Sequence, residues 1–288
     1  MIYKLLVYPL LKGISLLPFP LLYGLSNALY FLLYHVAGYR KKVVRTNLQN
    51  AFPDKSDAWR KVTERKFYKH LSDLILETLK GISLSEDELL KRMTNNPQEL
   101  YDKAFEDGRS CIIIMSHKGN WEWVCMSAQL HARQKAQCIY KQLKNPFFEK
   151  LTLGIRTKFG TMPIPMEQTL RVLASQTGLV TATAFIADQN PSNGKNAYWT
   201  QFLNQDTAFM WGTEKIARKT NQEVWYLQVR KIKRGYYEAH SRLLCSKPAE
   251  TKEGEITEML ARATEEDIMS QPELWLWSHR RWKHKKNK

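Results

Sequence analysis

The stretch "CIIIMSHKGNWEW", Cys111 to Trp123, decides how the rest of the chain is read. Its first five residues form an unbroken apolar run rich in β-branched side chains, the pattern of a strand buried on both faces of a sheet. Gly119 and Asn120 supply a turn, and a helical pattern begins at Trp121. His117 lies two residues past the strand, where ligands collect in open α/β sheets. Five residues along a helix turn about 140°, so His117 and Glu122 cannot share one helix face. With His117 in the loop and Glu122 in the first helical turn, the carboxylate can fold back onto the imidazole. A carboxylate on one ring nitrogen fixes the tautomer and leaves the other nitrogen to take a proton from a hydroxyl. The pair therefore reads as a general-base dyad; the plain alternative is a loop histidine capped by chance. No G-x-S-x-G, G-x-x-x-x-G-K-[ST] or G-x-G-x-x-G sequence is present, so the nucleophile has to come from the substrate.

The flanking sequence supports the same class of fold. Upstream, Trp59, Val62, Phe67, Leu71, Leu74, Ile75 and Leu79 recur at helical spacing between Ser56 or Asp57 and Gly81, predicting an amphipathic helix. Downstream, strands are expected near Gln137–Tyr140 and over Leu179–Ala187, Glu223–Val229 and Tyr236–Leu244. Helices are expected over Pro146–Phe159, Glu167–Ser175, Asp206–Thr220 and Glu253–Met269. "MPIPM", Met162 to Met166, reads as a strand end or a wall of a pocket. The last two strands, joined by "KIKRGY", form a hairpin. The fold class is α/β: a mixed central sheet flanked by helices, with an N-terminal apolar membrane-anchoring helix or helical hairpin.

That anchor rests on the segment from Gly13 to Tyr39, which contains no Lys, Arg, Asp or Glu. "PFP", Pro18 to Pro20, interrupts any helix there. The remainder, Leu21 to Gly38, would reach about 27 Å as a helix, at the short end of what a bilayer core needs. A single span and a shallow hairpin both fit, as does a buried helix pair. The basic run "YRKKVVR" behind it directs the rest of the chain to the cytoplasm by the positive-inside rule. Residues 1–42 are thus read as the anchor and 43–288 as the catalytic domain.

Charge narrows the partners. In 288 residues, 44 Lys and Arg face 28 Asp and Glu, a net charge of +16. Such a chain favours anionic lipid, nucleic acid or an acidic protein. The tail "HRRWKHKKNK", His279 to Lys288, follows Trp275 and Trp277 and contains Trp282, so rings and cations mix as at a membrane interface. Nucleic-acid binding is the rival reading, and it explains neither the apolar N-terminus nor the His117 block. The 4 cysteines lack any C-x-x-C pair and read as reduced core residues. Zinc held by His117, Glu122 and His131 has poor spacing, so no metal is expected.

"SHKGNWEW", "ADQNP" (Ala187–Pro191), "LWSHRRWK" (Leu276–Lys283) and "RTNLQNAFP" (Arg45–Pro53) together resemble the bacterial lipid A late acyltransferases, lauroyl and myristoyl type, of the lysophospholipid acyltransferase superfamily. The resemblance implies His117 as the base and Glu122 as its orienting partner. It adds Asn120, Trp121, Arg156, Asp188 and Gln189 as substrate-binding candidates, with Arg156 or a backbone amide near Asn120 as oxyanion donor. No bound cofactor is implied. The co-substrate is an acyl carrier protein thioester or acyl-CoA, the acceptor an anionic lipid A precursor, and the location the bacterial inner membrane with the catalytic domain facing the cytoplasm. The alternative acceptor is a lysophospholipid or an aminolipid. Where the family usually carries glycine-rich and aromatic residues, "NAYWTQFLNQDTAF" has Tyr198, Trp199 and Phe202, which loosens the inference on acceptor and chain length.

Overall fold

A computed structural model of the chain describes residues 6–96, 99–176, 178–191 and 197–286. Its centre is a sheet of seven strands: β1 (Met93–Asn96), β2 (Cys111–Met115), β3 (Lys135–Tyr140), β4 (Met162–Pro165), β5 (Thr181–Ile186), β8 (Glu223–Lys233) and β9 (Tyr236–Cys245). β6 (Ala197–Phe202) and β7 (Gln205–Met210) form a separate hairpin. The sheet order is β1-β9-β8-β2-β5-β3-β4, parallel at every pairing except β8 with β9. The expected hairpin at "KIKRGY" makes the sheet mixed, turning at Gly235 with φ +73°. β1 was not legible as a strand: "MTNN" is polar and occupies an edge, where apolar side chains on both faces are not required.

β2 explains the continuous apolar run. It lies between β5 and β8, and its side chains alternate between two cores. Ile112 and Ile114 join Phe185, Val224, Tyr226, Ile256, Leu260 and Trp275 on one face. Cys111, Ile113 and Met115 join Trp123, Met126, Trp225 and Leu227 on the other. All 4 cysteines are free and buried.

The helices are α1 (Tyr8–Leu16), α2 (Phe19–Phe31), α3 (Lys41–Ala51), α4 (Asp57–Lys80), α5 (Glu86–Arg92), α6 (Glu99–Glu106), α7 (Trp121–His131), α8 (Pro146–Arg156), α9 (Thr169–Ser175), α10 (Gly212–Thr220) and α11 (Glu255–Ser270). One expectation fails here: residues 206–210 are strand, not the start of α10. Leu203 and Asn204, at φ +48° and +62°, make a two-residue reversal that returns the chain along β6 before residue 206.

At the N-terminus Pro18 breaks the chain between α1 and α2, and both helices pack against α4. Of the arrangements that fit the sequence, the single span does not form: no helix among the described residues is long and apolar enough to cross a membrane. The pair is inverted relative to a core helix. Ser15, Leu22 and Ser26 are buried, whereas Leu10, Leu16, Leu21, Phe31, Leu32 and Val36 are more than half exposed.

α4 starts as expected, with Ser56 Oγ accepting from the Trp59 amide. Its buried face, however, is not simply the apolar stripe. Val62 and Ile75 are exposed, and Glu64, His70, Asp73 and Glu77 are buried. Glu77 accepts from Tyr23 Oη at 2.9 Å, Tyr237 Oη at 2.8 Å and Asn120 Nδ2 at 2.8 Å, joining α2, β9 and the loop after β2. His70 Nε2 lies 3.2 Å from the Gly119 carbonyl, and burial, with Lys231 nearby, pushes its pKa down to about 3.

Removing Glu77 leaves two buried donors, Asn120 and Tyr237, and the half-buried Tyr23 without their acceptor. Glu77→Ala should destabilise the protein in a denaturant titration, by about 1–3 kcal/mol for each buried donor left unpaired, and Glu77→Gln, which keeps an acceptor oxygen, clearly less. His70 takes up its proton near pH 6.5 when unfolded and near 3 when folded. Its contribution is therefore fully present above pH 6.5 and declines as pH falls. Between pH 7 and pH 5 the loss from this one group is about 2 kcal/mol, so the stability of His70→Gln should fall less over that interval.

Candidate active site

The register of β2 against β5 builds the centre of the site. Met115 pairs with Ile186, and the Ala187 amide donates to the Met115 carbonyl at 3.1 Å. Two residues beyond each strand, His117 and Asp188 therefore stand level at the carboxyl edge of the sheet. His117 Nδ1 lies 2.6 Å from Asp188 Oδ1, and the His117 amide donates to Asp188 Oδ2 at 3.0 Å. Trp275 Nε1 donates to the same oxygen at 2.7 Å. Burial alone would raise the pKa of Asp188, but the His117 charge and these donors outweigh it and hold the carboxyl below its usual range. A carboxylate at Nδ1 places the proton there and gives Nε2 the lone pair. Gln189 Nε2 sits 3.3 Å from that nitrogen, and the Trp121 ring meets the imidazole edge-on at 5.2 Å.

The expected His117–Glu122 contact is corrected accordingly. Both oxygens of Glu122 are taken by Arg156 in a two-pronged pair, Nε to Oε2 at 2.9 Å and Nη2 to Oε1 at 2.7 Å. Glu122 occupies the first turn of α7 and Arg156 the last of α8, and these helices pack together; the position level with the imidazole belongs to Asp188. Burial works against the charge on Arg156, but Glu122 more than compensates and holds its pKa above the usual value.

The other expected residues divide by environment. Asn120, expected to bind substrate, is fully buried and commits both side-chain groups internally. Its Oδ1 caps α7 by accepting from the Trp123 amide at 3.0 Å, and its Nδ2 donates to Glu77. Trp121 is half-buried beside His117, whereas Trp123 is fully buried and donates to the Glu77 carbonyl. Gly119 is required where it stands: its φ is +67°, and a Cβ would come within 2.6 Å of Val229.

Three features of the site were not read from the sequence. Lys118 points inward: its Nζ donates to Asp267 at 2.7 Å and to the Val229 carbonyl at 3.0 Å, tying the loop to α11 and β8. Burial pulls the Lys118 pKa down and pushes that of Asp267 up, each opposed by the other's charge. Next, the C-terminal segment runs alongside the loop, with Leu276 donating to the His117 carbonyl and Gly119 to the Leu274 carbonyl. Trp275 and Trp277, read as interfacial, are buried in the core instead. Asn47 Nδ2 holds this segment through the Trp277 and His279 carbonyls at 2.8 and 3.0 Å, so the "RTNLQNAFP" and "LWSHRRWK" blocks touch. Finally, Arg281 is buried over the Phe209 ring at 4.6 Å, where burial lowers its pKa to about 10 and the Asp188 charge partly restores it.

A histidine oriented by a buried carboxylate at the end of a parallel strand can remove a proton from a hydroxyl without a protein nucleophile. Comparison with curated protein sequences gives no match. Residues 2–284 match the family model described as bacterial lipid A biosynthesis acyltransferase, and the chain belongs to that family of acyltransferases.

Proposed function

We propose that this acyltransferase moves a fatty acyl chain from the thioester of an acyl carrier protein to a hydroxyl of a lipid A precursor, with His117 as the base. The observation that carries the mechanism is the His117–Asp188 contact at 2.6 Å, which leaves Nε2 as the basic nitrogen. The incoming hydroxyl displaces the Gln189 amide from Nε2 and gives up its proton there as the oxygen attacks the thioester carbonyl. Collapse of the tetrahedral intermediate breaks the carbon–sulfur bond, and the proton on Nε2 passes to the departing thiolate. Asp188 steadies the imidazolium between these steps. Arg156, whose Nε and Nη2 are engaged by Glu122, has Nη1 turned to no partner on that carboxylate and is the proposed donor to the oxyanion. The net charge of +16 suits an acidic carrier protein and an anionic acceptor.

The exposed apolar sides of α1 and α2 supply the proposed membrane contact, as a helical pair lying in the interface at the cytoplasmic surface of the inner membrane. The long side chains Leu16, Leu21, Phe31 and Leu32 suit insertion below the headgroups.

His117→Ala should abolish acyl transfer in an assay with acyl carrier protein thioester and lipid A precursor while leaving the fold intact; residual activity above a few per cent removes His117 as base. Asp188→Asn should lower kcat by about 100-fold to 10,000-fold with little change in KM. Glu122→Gln should weaken the Arg156 pair and lower kcat much less than Asp188→Asn does. A loss of kcat for Glu122→Gln as large as that for Asp188→Asn would return the orienting role to Glu122. In cells lacking the protein, mass spectrometry should show lipid A short of one secondary acyl chain. Unchanged lipid A with altered phospholipids or aminolipids would reassign the acceptor.

A further inference from the structure

A cavity of about 500 Å³ lies beside the catalytic loop and is lined by Asn27, Lys66, Lys69, His70, Lys231 and Arg234, with Asp73, Glu273 and Leu274. The geometry points to a binding site for a phosphomonoester on the sugar headgroup of the acceptor, an inference that rests on the lipid A precursor reading above. Four cations face two carboxylates around this space, and His70 is held neutral at physiological pH. Asp73 is buried and answers Lys231 at 3.4 Å and Arg234 at 2.5 Å, accepting also from Ser26 Oγ at 2.7 Å. Its charge is therefore committed to the wall. Lys66 and Lys69 form no ion pair with the described residues, and the Lys69 ammonium lies 5.7 Å from the Tyr30 ring. Their two charges are what the wall presents to a small dianion.

Position argues for the acceptor rather than a passing anion. Asn27 sits on α2, whose other side is exposed and apolar, so acyl chains at that side would bring a headgroup to the mouth of the cavity. The inner wall is the back of the catalytic loop: His70 touches the Gly119 carbonyl and Leu274 accepts from the Gly119 amide, two residues from His117. A phosphate held here anchors one end of a sugar headgroup while a hydroxyl elsewhere on it reaches Nε2.

The test measures binding to full-length His117→Ala protein in detergent, which keeps catalysis out of the readout. The probes are the phosphorylated acceptor and the same lipid after phosphatase treatment. Dephosphorylation should weaken binding by at least about 10-fold. Adding Lys66→Ala and Lys69→Ala should weaken binding of the phosphorylated lipid by a similar factor and hardly affect the dephosphorylated one. Equal losses for both lipids, or none for either, overturn the site. Phosphatidylglycerol vesicles form the second arm: if the lysine changes reduce vesicle binding while acceptor affinity holds, the cavity belongs to membrane phospholipid and the inference fails. If the phosphate-dependent binding is seen but the wild-type protein transfers no acyl chain to this lipid, the site stands and the proposed reaction falls.

Discussion

The parallel register of β2 and β5 is the constraint on which the site depends. Strands paired Met115 to Ile186 must release their chains at the same height, and the residues two positions on are a histidine and an aspartate. No long-range loop closure is needed to bring them together, since the sheet has already done so. The remaining cost is electrostatic, because Asp188 is almost fully buried. Three N–H donors, from the His117 ring, the His117 amide and Trp275, offset that cost. Trp275 lies nearly ninety residues further along the chain, which is why the C-terminal segment has to pack inside rather than trail across the surface.

Once the carboxylate is in place, the whole loop is held. Ser116 and Lys118 reach Asp267, the His117 amide reaches Asp188, Gly119 fits against Val229 with no room for a side chain, and Asn120 reaches Glu77. Buried ion pairs are weak evidence for stability, since desolvation cancels much of their attraction. What they do here is remove alternatives: the loop is tied to α11 at Asp267, to the end of β5 at Asp188, to β8 at Val229 and to α4 at Glu77. A base that must meet a hydroxyl within hydrogen-bond reach benefits from that fixity, because small misplacements of reacting groups cost large factors in rate.

The central strand, the turn, the helix after it and the final hairpin were legible because apolar runs and turn residues report local structure directly. His117 was legible from its position past a strand. Its partner was not, because the H-x4-E spacing suggests a sequence neighbour whereas the true contact runs between adjacent strands. The signal was present, since Asp188 directly follows the second expected strand, Leu179–Ala187, but using it requires knowing that the two strands pair. The strand at 205–210 was hidden by a tight reversal at Leu203 and Asn204, neither of them glycine. The C-terminal tryptophans were misread for another reason: rings among cations describe an interface equally well in sequence, and only the hydrogen bond to Asp188 shows which way Trp275 faces.

Glu77 links the site to the N-terminal helices. Through Asn120 it holds the start of α7, through Tyr237 it holds β9, and through Tyr23 it holds α2. Ser26 and Asp73 repeat the attachment one turn along. The apolar side of α2 is thus fixed relative to the catalytic loop by hydrogen bonds across its polar side, which inverts the usual arrangement in which a helix buries its apolar stripe. If the exposed leucines meet lipid as proposed, the depth of His117 relative to the membrane surface is set by these few buried contacts. The same pairing of polar attachment and apolar exposure explains why α2 can be rich in leucine without being a spanning helix: Tyr23, Ser26 and Asn27 are committed to Glu77, Asp73 and Arg234, and only the other side is left for lipid.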